Sequence, residues 1–391
     1  MFYSLNDVYV VGVGAFLPGR PIENHEMENV LGMVAEKPSR YRSRILKSNG
    51  IKQRYYAMDE DGSGKVSYQT DEMAALAVLN ALKHSGYSES DIDMLSVGTS
   101  LADLLLPGIA SMVHGRIGHR PMDILSCSGV CGAGAAALKS AENAIRAGQH
   151  TFAVACASER PSAVLKASRF ELESEISPQR NDEAESFKYF NADFLRWMLS
   201  DGAGAAVLSN KPSPLQPSLR IDWMETYSFA NELNTCMYMG TNDPVGMKAE
   251  NTWLNDPTFS VAEASGKLLV RQDTRLLAEN IVKVVVRAAS MLSEKGFLDP
   301  GSIDHFLPHI SSLFFYEKLY EELKSSGLGI PYDRWFTNLA SKGNTGSASI
   351  YIMLDEAMKS GRFREGEKIL LMIPESGRFS VSYCQMTCIT Q

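Results

Sequence analysis

Apolar residues recur in two rhythms along this 391-residue chain. Short unbroken apolar runs, Val8–Val13, Met94–Thr99 and Thr151–Ala157, read as buried strands. Other stretches keep a helical period. In Asp71–Ser85 the apolar positions are Met73, Leu76, Ala77, Leu79, Ala81 and Leu82, and Gly132–Ala147 reads as a helix of small residues. This β/α alternation predicts an α/β fold whose sheets are covered on both faces.

The chain also repeats itself. Asn80–Gly98 and Ser290–Pro308 share one order: helix, Gly-aromatic stop, polar loop, Ile-Asp, apolar strand. A second pair is closer. Ala144–Gly148 and Ala357–Gly361 each end a helix with a basic residue and a glycine stop, and the apolar strands Thr151–Ala157 and Lys368–Ile373 follow. Seventeen residues before Gly148 stands Cys131, and seventeen before Gly361 stands Asn344. Two units in the same order, about 210 residues apart, predict a duplicated α/β unit with pseudo-twofold symmetry. Between the copies, Glu171–Glu185 reads as a charged, exposed excursion and Asp243–Asp256 as an irregular segment.

Composition narrows the function classes. With 45% hydrophobic and 21% charged residues, the chain has the balance of a soluble globular protein. Its net charge of −8 gives no global drive toward nucleic acid or anionic membranes. No apolar run reaches the roughly 18 residues of a membrane span, and Met1–Asp7 lacks the pattern of a secretory signal. Six sparse cysteines fit a reducing compartment, so a cytoplasmic location is expected. No Cys/His cluster has zinc-site spacing, and no metal is expected. Gly12-Val-Gly14 follows a strand, but Leu17 fills the third glycine slot of a dinucleotide fingerprint. His114 and His119 lack the acidic partner of a metalloprotease helix.

Three side chains stand at chemically suggestive places. Cys131 begins a helix among small residues, where unpaired N–H groups and the helix dipole favour a thiolate and could receive an oxyanion. A buried, inert cysteine is the plainer reading of Cys131 alone. His309 follows an apolar strand, and Asn344 starts the second copy's helix, where a simple N-cap would suffice. If the halves pack symmetrically, a nucleophile and two hydrogen-bond donors meet in one cavity.

With these positions in place, the sequence resembles the thiolase-superfamily condensing enzymes, and among them β-ketoacyl-acyl-carrier-protein synthase III. The resemblance covers nearly the whole chain. It rests on Gly50–Arg54, the Cys131 helix, Ser200–Leu208, Leu307–His309, Gly343–Thr345 and the turn Pro374–Phe379. It implies a five-layer α-β-α-β-α fold, with residues 1–215 as the half carrying the cysteine and 216–391 as the half carrying histidine and asparagine. It further implies a Cys131–His309–Asn344 triad, an oxyanion hole from the backbone N–H groups of Cys131 and Gly377, and Arg54 as a phosphate partner. The substrates would be acyl thioesters of CoA or acyl carrier protein, with no cofactor. A homodimer is expected, with Thr151–Ala157 as its seam.

The chain departs from the family pattern at several places. Arg44 replaces the tryptophan that helps hold the CoA adenine, and Glu375-Ser-Gly-Arg-Phe379 replaces a glycine-rich turn. Glu159 ends the strand after the catalytic helix. It could serve as a second base for joining two acyl chains and closing a ring, as in the branch making cyclohexanedione precursors of dialkylresorcinols; a surface or interface ion pair is the alternative. Two other functions stay open: acyl transfer to a hydroxyl or amine, and a non-catalytic partner of a ketosynthase.

Overall fold

The computed structural model describes residues 5–59, 65–83, 85–118, 120–171, 183–243 and 251–390, without the side chains of 183–189. Nine strands form its main sheet: β1 (Tyr9–Phe16), β2 (Met94–Thr99), β3 (Asp123–Ser128), β4 (Phe152–Glu159), β5 (Gly202–Ser209), β6 (Ser218–Ser228), β7 (His305–Pro308), β8 (Lys368–Glu375) and β9 (Ser380–Ile389). Their order is β7-β8-β9-β6-β1-β5-β4-β2-β3. The long helices are α1 (Thr70–Leu82), α2 (Ile109–Ile117), α3 (Gly132–Arg146), α4 (Glu183–Arg196), α5 (Thr274–Glu294), α6 (Tyr316–Ser325) and α7 (Ser349–Lys359).

The sheet is written twice. Outward from the centre, β1 pairs antiparallel with β5, β5 antiparallel with β4, and β4, β2 and β3 run parallel. The other side repeats this as β6, β9, β8 and β7, and a parallel bridge from Phe306 to Trp335 stands in for the fifth strand. The two series join where β1 meets β6 antiparallel, Val10 opposite Leu219. The expected division at residue 215 falls in the connection between β5 and β6.

Alternation along the strands separates the layers. In β4, Ala153, Ala155 and Ala157 enter a central core with α3 and α7, whereas Phe152, Val154 and Cys156 face an outer core with α1 and α2. In β8, Ile369, Leu371 and Ile373 join the same central core, and Leu370 and Met372 face an outer core with α5 and α6. Three cores thus lie between five layers, with α3 and α7 in the middle.

The repeat extends to hydrogen bonds. Asp93, of the first Ile-Asp pair, accepts from the Thr151 N–H ahead of β4 (3.3 Å), and Asp304, of the second, accepts from the Lys368 N–H of β8 (2.9 Å). Gly148 and Gly361 both take positive φ, 73° and 65°, as helix stops.

One expectation is corrected here. Residues 151–157 cannot form a dimer seam, because β4 is hydrogen-bonded on both edges and fully buried. The free edge is β3, where Ile124 and Leu125 are exposed. Most of the charged excursion 171–185 and half of the segment 243–256 lie outside the described residues, as does His119; His114 makes a local contact with the Arg120 carbonyl (3.1 Å). Among the described residues, no helix is long and apolar enough to cross a membrane.

Candidate active site

Close packing in the middle layer brings the two copies' special residues together. A Cβ on Gly134 would lie 2.2 Å from the Ser347 carbonyl oxygen, so only glycine lets α3 approach the loop after Asn344 this closely. Tyr351 of α7 donates its hydroxyl hydrogen to the Gly134 carbonyl across the same contact (2.7 Å). Ser200, just ahead of β5, donates its N–H to the Asn344 carbonyl (2.8 Å), which fixes the loop from a third side.

The result is one cavity of about 660 Å³ to which Cys131, Glu159 and Asn344 all contribute. Much of its remaining wall is apolar, including Leu101, Val164, Leu195, Met198, Met237 and Trp253. A pocket of this size and character suits a largely hydrophobic ligand oriented by a few polar groups.

Cys131 is buried at the mouth of α3, in helical conformation itself. The helix start was expected to favour its thiolate. Instead burial, followed by the nearby Glu375 and Glu159 carboxyls, pushes the thiol well above its ordinary range. The resting sulfur is therefore a protonated thiol.

His309 follows β7, and its N–H bonds the Met372 carbonyl of β8 (2.8 Å). Its side chain is buried, and it does not itself line the cavity, although Ser311 does. Burial lowers its pKa to about 4, so the ring is neutral at physiological pH. Its Nε2 has no hydrogen-bond partner among the described residues. A buried unpaired ring nitrogen costs on the order of 1–3 kcal/mol, a penalty that a substrate oxygen could relieve.

Asn344 does not cap the helix. Helix α7 starts only at Ser349, after a short 3₁₀ turn, and the Asn344 Oδ1 instead accepts the Gly346 N–H (3.0 Å) in a local turn. Its side-chain carbonyl is thus used structurally.

Glu159 is no surface ion pair. It is buried, and its Oε1 accepts from the Ser100 N–H (3.0 Å), the Ser100 hydroxyl (2.8 Å) and the Ser347 hydroxyl. Burial raises its pKa to about 7, against these hydrogen bonds.

Two expected site residues are placed elsewhere. Arg54 is fully buried, and its guanidinium donates to the Trp197 carbonyl and Asn24 Oδ1, so it buttresses the fold and offers nothing to a phosphate. The Gly377 N–H is already bonded to the Glu375 carboxylate, and Gly377 does not line the cavity; its neighbour Ser376 does. Sequence reasoning noted Glu375 only as a departure from the family's glycine-rich turn; its carboxyl is the charge that acts most on the Cys131 thiol. Among the described residues, no cluster of His, Cys, Asp and Glu could hold a metal ion.

The chain is similar to known proteins along nearly its whole length. A family model described as 3-oxoacyl-[acyl-carrier-protein] synthase III C terminal matches residues 293–376, the stretch that holds His309 and Asn344. β-Ketoacyl-[acyl-carrier-protein] synthase III of Anaplasma marginale is 26% identical over 359 residues, 92% of each chain. That of Clostridium perfringens is 24% identical over 372 residues, covering 94% of this chain and 95% of the relative. Among solved structures, a tetronic acid condensing enzyme superposes with a TM-score of 0.74 at 19% identity, over 97% of this chain and 99% of that one. A variant of OleA from Xanthomonas campestris gives 0.70 at 20% identity, over 98% of both. The chain therefore shares the fold of these condensing-enzyme structures. In sequence, the chain is similar to the β-ketoacyl-[acyl-carrier-protein] synthases III of these bacteria along nearly its whole length.

Proposed function

We propose that the protein condenses acyl thioesters through an acyl group carried on Cys131. The observation that carries this reading is the single, largely apolar cavity shared by Cys131, at the start of α3, and Asn344, at the corresponding place in the second copy. Cys131 takes an acyl group from CoA or acyl carrier protein. His309, neutral and with an unsatisfied Nε2, and the Asn344 amide then donate hydrogen bonds to the carbonyl of the second thioester. Those donors stabilise the enolate left when a malonyl-type extender loses CO₂, and the enolate carbon attacks the acyl-cysteine. Donors fixed in a dry cavity act most strongly where charge develops. For the oxyanion at the acyl-cysteine, the backbone N–H of Cys131 is joined by that of Ser376, which takes the place assigned to Gly377.

A second form of the reaction joins two acyl chains and cyclises the product. It is favoured by Glu159, an acid in the cavity wall beside the Asn344 loop with a pKa of about 7, suited to accept a carbon-bound proton. No cofactor enters either form. The protein works as a homodimer in this proposal, through the exposed edge of β3 and the apolar Leu104–Leu106 segment nearby in the chain, in a cytoplasmic setting.

Incubation with an acyl thioester and a malonyl thioester, read as CO₂ release and product mass, tests the reading. Condensation releases CO₂ or yields a product combining two acyl chains. Acyl transfer without either would make the protein an acyltransferase. No acyl adduct on Cys131 with any donor would make it a silent partner.

A further inference from the structure

The turn that follows β8 runs antiparallel to the chain around the nucleophile. Glu375 Cγ lies 3.1 Å from where a Cβ on Gly132 would sit, and Val130 Cγ2 lies 2.9 Å from where one on Gly377 would sit. With Glu375 beside Gly132 and Gly377 beside Val130, Ser376 falls opposite Cys131. Both Cys131 and Ser376 line the cavity. The N–H groups of Gly377 and Arg378 (3.3 Å) are taken by the Glu375 carboxylate, whereas the Ser376 N–H has no acceptor among the described residues. It is left free for a substrate oxygen.

A free N–H stabilises an oxyanion strongly only if it is aimed before the charge develops. A two-stranded ribbon, Met237–Tyr238 antiparallel to Arg271–Gln272, holds the turn for this. The N–H groups of Cys236 and Met237 donate to the Gly377 carbonyl (2.7 and 3.2 Å). Gln272, buried in the ribbon, clamps Ser376 itself. Its Oε1 accepts from the Ser376 hydroxyl (3.3 Å), and its Nε2 donates to the Ser376 carbonyl (3.5 Å) and to Cys236 Sγ (3.0 Å). Each bond to Ser376 is long, so it is the pair that sets the orientation. Holding the side chain and the carbonyl together restrains the rotation of the residue whose N–H faces Cys131. Phe379 closes the turn at a φ of 61°, which a residue with a side chain keeps only where its surroundings hold it.

We infer that Gln272 is a positioning residue for acyl loading, holding Ser376 so that its N–H meets the oxyanion formed as Cys131 attacks. The inference rests on the acyl-cysteine reading above. In the step, the Cys131 sulfur bonds the acyl carbon and the carbonyl π pair moves onto oxygen, where the Ser376 N–H binds it. As the carbonyl re-forms, the donor's C–S bond breaks. The donor sulfur leaves as CoA or pantetheine thiol, carrying the proton lost by Cys131, and no other reactant is consumed. Both ends of the Gln272 amide are already engaged, so the residue acts through Ser376 and not on the substrate.

The test compares two reactions of Cys131 in the full-length protein, followed by mass spectrometry. Acylation by an acyl-CoA passes through an oxyanion; alkylation by iodoacetamide does not. Gln272→Met keeps the length of the side chain and removes its hydrogen bonds. At saturating acyl-CoA its acylation should slow by about ten- to a hundredfold, with the half-saturating concentration and the alkylation rate near wild type. Ser376→Ala removes one end of the clamp and keeps the backbone N–H. It should slow acylation less, again without changing alkylation, and adding Gln272→Met to it should cost less than in wild type. Acylation at the wild-type rate in Gln272→Met would overturn the inference. So would equal slowing of both reactions, the mark of a residue that only supports the fold, or a raised half-saturating concentration with an unchanged maximal rate, the mark of a substrate contact. Should Gln272→Met not fold, Ser376→Ala alone decides, and unslowed acylation overturns the inference. Wild type that is alkylated at Cys131 but never acylated would bring down the acyl-cysteine reading itself, and the inference with it.

Discussion

The starts of α3 and α7 occupy equivalent places in the two copies, yet they are built differently. Cys131 adjoins the first turn of α3, tight against the turn at Glu375 and Gly377. Asn344 stands five residues before α7, held by Ser200, by its own Gly346 turn and by the Glu159–Ser347 contact beside it. The repeat supplies two matching positions facing one cavity. In the proposed reaction the first is a rigid seat for the nucleophile, and the second is a loop that presents an amide to a substrate carbonyl. On that reading the same framework divides one reaction between bond making on one side and charge stabilisation on the other.

Four substitutions would break or sharpen this contrast. The largest effect is expected from Asn344→Ala. Decarboxylative condensation should fall by about a hundred- to a thousandfold, as for loss of one oxyanion donor, while acyl loading on Cys131 stays near wild type. Equal loss of both steps, measured in single turnovers, would show that the two helix starts do not divide the work. Next, Glu159→Gln should reduce formation of a product joined from two acyl chains by at least about a hundredfold. Because a base must be ionised, the wild-type rate of that step should rise as pH increases through about 7, and the variant should lose this dependence. Normal product from the variant would remove Glu159 from the chemistry.

Gly134→Ala probes the joint between the copies. The added methyl would meet the Ser347 carbonyl, so denaturant unfolding should show a loss of about 1–3 kcal/mol. An unchanged midpoint would mean that α3 and the Asn344 loop can separate freely. The smallest effect on chemistry should come from Leu125→Lys on the exposed strand β3. It is expected to shift the protein from dimer to monomer in light scattering; a dimer that survives would place the seam elsewhere.

Much of this architecture was legible in the sequence because it rests on local chemistry. The apolar run Met94–Thr99 became β2 with the same ends, and glycine stops at Gly148 and Gly361 bounded helices as expected. The Ile-Asp pairs marked the repeat and proved to tie adjacent strands in the same manner. Pattern carried less information where the outcome depends on neighbours distant in sequence. The strand after Gly148 was expected at a seam, but its apolarity reflects burial on both faces of a central strand. Arg54 sits in a family-like motif, yet whether its guanidinium meets solvent or the Trp197 carbonyl is decided by a residue 143 positions away. The helix start at Cys131 suggested an activated thiolate; of the two acids that oppose it, Glu159 ends the next strand, but Glu375 lies on a strand of the second copy far along the chain.

The central claim is that Cys131 carries the acyl group in a cavity completed by the second copy. It is tested most directly by incubating wild type and Cys131→Ala with an acyl thioester and mapping any acyl group by peptide mass spectrometry. The account predicts one acyl group on the wild-type peptide containing Cys131 and none on the variant. Acylation of another residue, or equal labelling of both proteins, would contradict it.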